Sequence, residues 1–347
     1  MECQLAQQGI PKGSCEVATE GDKTGRACDI TLRYSEKSGY ERLIKSLLLS
    51  RPEDYLSIYQ SGCNHTCLKC HSHEFSKVAT GEWMSVEDIA GAVKQYKEYI
   101  TVHEPREAAT SWHAHRLCKH CGSCLMNREP SANCPRILKP DQVVISPQGF
   151  GPARNIVAFT GGDILCRPDF YTSVARRIKE VSDDLWVLLE TNGYGLTEKN
   201  LAQFAEGGID SFWLDIKAYS EDVYRRLCGT TNKHILESVR TIVDYGFTLE
   251  VLTLFIPGMV ETEEHEKIAQ LVADVDPDIP FTLLAFFPFY QLLEPEYRSP
   301  TAEEMAASYI SIKEVGLTNL RLGNLGVFVK DQEDMDYLSS ELGPGFF

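Results

Sequence analysis

No apolar run in this chain reaches the length needed to cross a bilayer, so no membrane-spanning helix is expected. Basic residues are in the minority: 34 Lys and Arg stand against 50 Asp and Glu, a formal charge of -16. That imbalance argues against a general nucleic-acid binder and against a protein drawn to anionic membranes, so neither nucleic acid nor membrane is expected as a partner. The first residues, Met1-Glu2-Cys3-Gln4, form neither a basic n-region nor an apolar h-region, and a cytoplasmic location is expected. Internal repeats and low-complexity tracts are missing too. What remains, 43% hydrophobic and 24% charged over 347 residues, is the composition of one large soluble domain with room for a small module.

Cysteine is the residue in excess. Seven of the 12 fall in two clusters, at 63–70 and 118–134, which reads as metal binding rather than a disulfide framework. The other five, Cys3, Cys15, Cys28, Cys166 and Cys228, are scattered and are read as free structural thiols. Cys15 and Cys28 could serve as extra ligands, but their spacing matches no compact site.

From Asp54 onward a strand–helix rhythm is visible. Strands are expected at 55–60, 155–160, 185–191, 211–216, 249–255 and 281–287, with helices at 85–99, 168–182, 197–206, 232–245, 262–273 and 302–315. Runs such as Leu185-Trp186-Val187-Leu188-Leu189 suit parallel strands buried on both faces. Ser85-Val86-Glu87-Asp88 is a capping-type start, and Thr301 is a natural N-cap. Six alternating units predict an α/β fold, a parallel barrel that is incompletely closed, with functional groups at the C-terminal ends of the strands. The expected layout is an N-terminal extension over 1–53, the barrel over 54–325, an inserted cysteine-rich module over 101–152 and a tail over 326–347. Within the extension, Tyr40 to Leu49 reads as a short helix. The segment 320–326 reads as a last strand and turn, and disorder is expected beyond it.

The strongest motif is Cys63-Asn64-His65-Thr66-Cys67-Leu68-Lys69-Cys70, directly after the first strand. Three thiolates on a tight loop can hold three irons of a cubane, whereas full cysteine ligation of a [4Fe-4S] cluster takes four; the fourth iron is then open for chemistry. The competing reading is a zinc site completed by His65, His71 or His73, which otherwise read as solvated or supporting groups. At the next strand end stands Gly161-Gly162-Asp163, where paired glycines admit a ligand close to the backbone. Later strand ends carry Glu190-Thr191-Asn192-Gly193 and Trp213-Leu214-Asp215-Ile216-Lys217.

Together these motifs resemble the radical S-adenosylmethionine (SAM) superfamily, and within it the pyruvate formate-lyase activating enzymes that act on glycyl radical enzymes. The resemblance runs over about 54–325, excluding the insert. It implies a radical SAM partial (β/α)6 barrel in which Cys63, Cys67 and Cys70 bind a [4Fe-4S] cluster. Gly161, Gly162 and Asp163 would then receive the SAM amino end, and Glu190, Thr191, Asn192, Asp215 and Lys217 would line the SAM pocket. It also implies a low-potential electron donor of flavodoxin or ferredoxin type and, beside the SAM carboxylate, a monovalent cation. Three positions depart from the family: Asp163 stands for Glu, Glu190 for Asp, and Lys69 for the usual aromatic residue before the third cysteine.

The second cluster, Cys118, Cys121 and Cys124 followed by Cys134-Pro135, resembles half of a bacterial ferredoxin module and implies an auxiliary [4Fe-4S] cluster; a structural zinc is the alternative. Three functions remain open at this level. They are hydrogen abstraction from a protein such as a glycyl radical enzyme, a radical step on a small molecule or in cofactor maturation, and a non-catalytic iron–sulfur electron carrier.

Overall fold

A computed structural model describes residues 3–347 apart from 20, 22, 132 and 133. Fourteen strands occur among the described residues. In chain order they are β1 (Glu16–Ala18), β2 (Thr24–Arg26), β3 (Leu32–Ser35), β4 (Gly39–Leu49), β5 (Leu56–Gln60), β6 (Glu82–Ser85), β7 (Val144–Ser146), β8 (Gly149–Gly151), β9 (Ile156–Gly161), β10 (Trp186–Thr191), β11 (Ser211–Asp215), β12 (Thr248–Phe255), β13 (Phe281–Ala285) and β14 (Leu320–Gly323). Ten form one sheet in the order β14-β13-β12-β11-β10-β9-β5-β4-β3, with β6 also paired to β4. Every pairing from β5 to β14 is parallel, and β4 runs antiparallel to its neighbours. The fold is therefore α/β with a mostly parallel central sheet.

The parallel strands are apolar on both faces, as both faces are covered. Val187 and Leu189 pack into the main core with the flanking helices, while Leu188 faces a second cluster with Tyr55, Ile156, Ala158 and Ala109. Fully burying each such side chain contributes roughly 1.5–3 kcal/mol. Ala109 belongs to the 101–152 segment. This segment tucks against the second face: Trp112 N donates to Glu250 at 2.8 Å and Trp186 Nε1 donates to Glu104 O at 2.7 Å. Arg154, fully buried, donates to the carbonyls of Ala108 (2.6 Å) and Thr110 (2.8 Å).

Crossover helices follow the apolar periodicity. Val86–Lys97 opens with a capping box between Ser85 and Asp88, and Ala302–Glu314 with one between Thr301 and Glu304. Three segments differ from the sequence reading. Residues 40–49 form β4, not a helix, because cross-strand pairing with β5 and β6 and burial of Leu43 and Ile44 override local helix propensity. Glu221–Cys228 is a helix that no run of apolar residues announced. The tail is ordered: Gln332–Leu342 is helical with Asp331 as N-cap, Phe346 is buried, and Phe346 O accepts from Leu322 N at 2.7 Å.

Candidate active site

The C-terminal ends of the parallel strands converge on a cavity of about 330 Å³. Its wall includes Cys63, Cys67 and Cys70 after β5, Gly161 ending β9 and Asp163 just beyond it, Glu190 and Thr191 ending β10 with Asn192 next, and Trp213, Asp215 and Lys217 at β11. The local chain geometry has causes. Gly62 takes φ +77°, and an added Cβ would lie 2.7 Å from Thr31 Cγ2, so only glycine turns the chain from β5 into the cysteine loop. Gly162 is not in the wall; a Cβ there would meet Gly62 O at 2.3 Å, so its bareness lets two loops touch. Backbone bonds then pin the loop: Asn64 N to Asp163 O and Leu68 N to Leu227 O, both 2.8 Å.

Asp163 is spoken for inside the protein. Its oxygens accept from Leu165 N (2.9 Å), Asn64 Nδ2 (3.3 Å), Asn192 N (3.0 Å) and the Thr191 hydroxyl. Asn192 Nδ2 in turn reaches Asn64 Oδ1 at 2.8 Å and Cys63 Sγ at 3.7 Å. The carboxylate is thus a strut that holds three strand ends around Cys63.

Glu190 borders the cavity but accepts from the hydroxyls of Tyr55 (3.0 Å) and Thr160. Burial, reinforced by the Glu53 and Glu250 carboxylates, pushes its pKa up to about 8. Asp215 pairs with the Lys217 ammonium, and this attraction outweighs burial and holds the Lys217 pKa above its ordinary value. Two buried polar atoms, Asp215 Oδ1 and Trp213 Nε1, have no hydrogen-bond partner among the described residues. An orphan acceptor and an orphan donor on one cavity wall are what a polar ligand would satisfy. Burial pushes the Cys63 thiol up to about 12, so a thiolate at this site needs the positive charge of a metal beside it.

The Radical SAM superfamily is matched over residues 115–272, a range that holds the ends of β9, β10 and β11 and starts after the cysteine loop. A protein of Methanocaldococcus jannaschii provisionally named a glycyl-radical enzyme activating enzyme is 27% identical over 45% of this chain and 60% of its own. The pyruvate formate-lyase-activating enzyme of Clostridium pasteurianum is 22% identical over 34% of this chain and 48% of its own.

The chain is similar to the radical SAM superfamily over a little under half of its length.

It spans about half the length of the curated relatives it matches. The crystal structure of Streptococcus suis SuiB bound to S-adenosylmethionine is similar in fold, with a TM-score of 0.50 at 11% identity, over 82% of this chain and 54% of that one.

Other sequence-selected residues have definite places around the cavity. His65 is buried, with Nδ1 against Asn64 Oδ1 (2.8 Å) and Nε2 against Tyr224 Oη (2.9 Å); burial lowers its pKa to about 3. Both ring nitrogens are occupied, so His65 does not complete a metal site here. His71 stacks on Phe289 and His73 on Tyr290, with centroids 5.4 and 4.3 Å apart. Lys69 enters the same aromatic wall. Its Nζ lies 3.6 Å from the Phe287 ring centroid and donates to Phe287 O at 2.9 Å, while burial lowers its pKa to about 8.

Cys118, Cys121, Cys124 and Cys134 line a second, much smaller pocket of about 20 Å³. Phe150 and Gly151 share its lining, and His120 Nε2 lies 2.8 Å from Asp54 Oδ1. Asp54 and Gly151 precede β5 and β9, so this site is at the N-terminal ends of the strands, opposite the cavity. Strands of five or six residues separate the two by roughly 17–20 Å. Among the described residues no three His, Cys, Asp or Glu side chains stand close enough to hold a metal ion as they are, and this applies to both cysteine sets alike. The sequence reading missed Cys228, whose thiol is 3.6 Å from that of Cys67; it arrives on the unforeseen helix Glu221–Cys228.

Proposed function

We propose that the protein is a radical SAM enzyme of the activating-enzyme type, with Cys63, Cys67 and Cys70 holding a [4Fe-4S] cluster at the cavity and SAM beside it. The observation that carries this reading is the convergence of three thiols with the orphan atoms Asp215 Oδ1 and Trp213 Nε1 on one cavity. When bound, cluster and SAM supply a 5′-deoxyadenosyl radical by one-electron reductive cleavage of SAM. The chain's own residues bind, orient and exclude water. Lys217 is placed to meet a carboxylate, and Asp215 Oδ1 to accept from an ammonium or to bind a monovalent cation. Glu190 is neutral below about pH 8 and leaves both oxygens on Tyr55 and Thr160, so Asp215, not Glu190, is the stronger cation candidate. Asp163, with Gly161 and Gly162, Thr191 and Asn192, keeps the strand ends in register around Cys63. The Lys69, His71 and Phe287–Tyr290 aromatic wall closes one side of the cavity and shields it from water.

The seven parallel strands are read as a partial barrel around this cavity, spanning 54–325. Residues 101–152 are read as an inserted metal module, carrying an auxiliary [4Fe-4S] cluster or a zinc. The substrate is proposed to be a protein, with hydrogen abstracted from a glycine of a glycyl radical enzyme. This rests on the names of the relatives from Methanocaldococcus jannaschii and Clostridium pasteurianum. A flavodoxin- or ferredoxin-type donor is the matching electron source.

Electron paramagnetic resonance on anaerobically reconstituted, reduced protein tests the core of the proposal. The cluster signal is expected to change when SAM is added, and to stop responding to SAM when Cys63, Cys67 and Cys70 are replaced by alanine. A signal that SAM leaves unchanged, with full iron content, would favour a closed-site electron carrier.

A further inference from the structure

Each of the three cysteines after β5 has a side-chain group set against its sulfur. Ser76 Oγ lies 3.3 Å from Cys70 Sγ, Cys228 Sγ lies 3.6 Å from Cys67 Sγ, and Asn192 Nδ2 lies 3.7 Å from Cys63 Sγ. The three neighbours come from three elements. Ser76 ends the short helix His73–Ser76, Cys228 ends the helix Glu221–Cys228, and Asn192 follows β10. They stand 6, 161 and 129 positions from the cysteines they face. All three are buried.

The direction of these hydrogen bonds follows from the state of the cysteines. A thiol donates or accepts, but a metal-bound thiolate only accepts. With Cys63, Cys67 and Cys70 as cluster ligands, the Ser76 hydroxyl, the Cys228 thiol and the Asn192 amide are therefore the donors. Among the described residues the Ser76 hydroxyl and the Cys228 thiol have no other hydrogen-bond partner. The Asn192 amide has two N–H groups. One meets Asn64 Oδ1 at 2.8 Å, which orients the amide and leaves the other for Cys63. Asn64 Oδ1 itself lies 3.8 Å from Cys63 Sγ but also faces His65 Nδ1 at 2.8 Å. The Lys77 ammonium donates to His65 O, midway along the chain between Cys63 and Cys67, and brings a positive charge to the same loop.

We propose that Ser76, Cys228 and Asn192 are positioning residues that set the reduction potential of the cluster on Cys63, Cys67 and Cys70, each through a hydrogen bond to one ligating sulfur. Their role rests on the cluster reading given above. Reduction adds a negative charge to a centre already held by three thiolates, and hydrogen bonds to the sulfurs are one of the levers on its potential. A donor stabilises the more negative, reduced state more than the oxidised one, so each donor raises the potential. Burial strengthens the effect, because the surrounding dielectric is low. Ser76 and Cys228 are not in the cavity wall, so they act through the sulfurs and not on a ligand in the cavity.

The test is a redox titration followed by electron paramagnetic resonance. It uses the full chain reconstituted without oxygen, in a Cys118→Ala/Cys121→Ala background so that one cluster is read. Ser76→Ala and Cys228→Ala are each expected to load iron as the parent does and to shift the midpoint to more negative potential. The reduced-to-oxidised ratio at a fixed potential should fall about 3-fold to 10-fold per lost donor, the upper figure being ~59 mV for one electron. Cys228→Ser keeps a donor and should recover most of the shift, which a packing role would not give. Should neither alanine variant load, the parent decides. Reconstituted in D2O, its Fe–S stretching bands in resonance Raman spectra should shift as the donors' protons are exchanged. Iron-loaded alanine variants with the parent's midpoint, a Cys228→Ser midpoint equal to that of Cys228→Ala, or bands that deuteration leaves in place overturn the proposal. A parent that loads no iron overturns the cluster reading itself.

Discussion

The thiol of Cys228 lies 3.6 Å from that of Cys67, beneath the loop proposed to carry the catalytic cluster. Both are buried, and both are free. A metal on Cys67 would hold its sulfur as a thiolate and keep the pair apart. In metal-free protein exposed to air, the two thiols are expected to lose two protons and two electrons to oxygen and form a Cys67–Cys228 disulfide. Peptide mass mapping under non-reducing conditions reads it directly. Cluster reconstitution should then fail until a thiol reductant is added, and Cys228→Ala should reconstitute after air exposure without one. A Cys228→Ala protein that is equally refractory would refute the idea.

Asp215 and Lys217 are an ion pair with one spare acceptor, Asp215 Oδ1. Charge-assisted hydrogen bonds of this kind are worth about 1.5–3 kcal/mol. Asp215→Asn is therefore expected to weaken SAM binding by about 10-fold to 100-fold, measured by calorimetry on the cluster-loaded protein. Lys217→Met should cost more stability than Asp215→Asn, because it leaves a carboxylate in the cavity wall with no counter-charge. Thermal melts of the two variants separate the effects.

How much of this was legible beforehand depends on the range of the interaction. The helix expected at 262–273 is found at Thr262–Ala273, and the strand expected at 185–191 at Trp186–Thr191, since both are written in local apolar patterns. The motif positions after β5, β9, β10 and β11 do share one cavity. What failed was set by distant partners. Residues 40–49 look helical alone and become β4 only because β5 and β6 pair with them. Asp163 looked like a free acceptor, but Asn64, Thr191 and Asn192, up to 99 positions away, fill its oxygens.

Glu190 should leave a mark on the pH dependence of stability. Its pKa, pushed up to about 8 in the folded chain from the ordinary 4.5, means that the folded state holds a proton that the unfolded state has lost between those values. Stability contributed at this site therefore falls as pH rises from about 4.5 to 8, and the change is on the order of a few kcal/mol. Glu190→Gln mimics the protonated form and should flatten the denaturation midpoint across that window. At pH 4 the variant should match the wild type, and it should be increasingly the more stable of the two as the pH rises through 6 to 9. A wild-type midpoint that rises between pH 6 and 9, with Gln following it, would place the Glu190 pKa below this range.

The position of Cys118, Cys121, Cys124 and Cys134 makes a prediction about division of labour. Their pocket adjoins Asp54 and Gly151, before β5 and β9, a full strand length from Cys63. The pocket and the cavity share no lining residue among the described residues, so Cys118→Ala/Cys121→Ala should lose its own metal while keeping the SAM-induced change in the resonance of the proposed catalytic cluster. The pocket of about 20 Å³ holds little more than one water-sized sphere. A zinc fits it with small thiol movements, whereas a cubane requires Cys121 and its loop to swing outward. Loss of one zinc without iron from this variant would identify a structural staple. Loss of about four irons would identify an electron relay, reached from the face where Leu125, Met126, Ile137 and Ile145 are exposed. If the SAM-dependent signal disappears along with that metal, the two ends of the sheet are coupled and their independence is refuted.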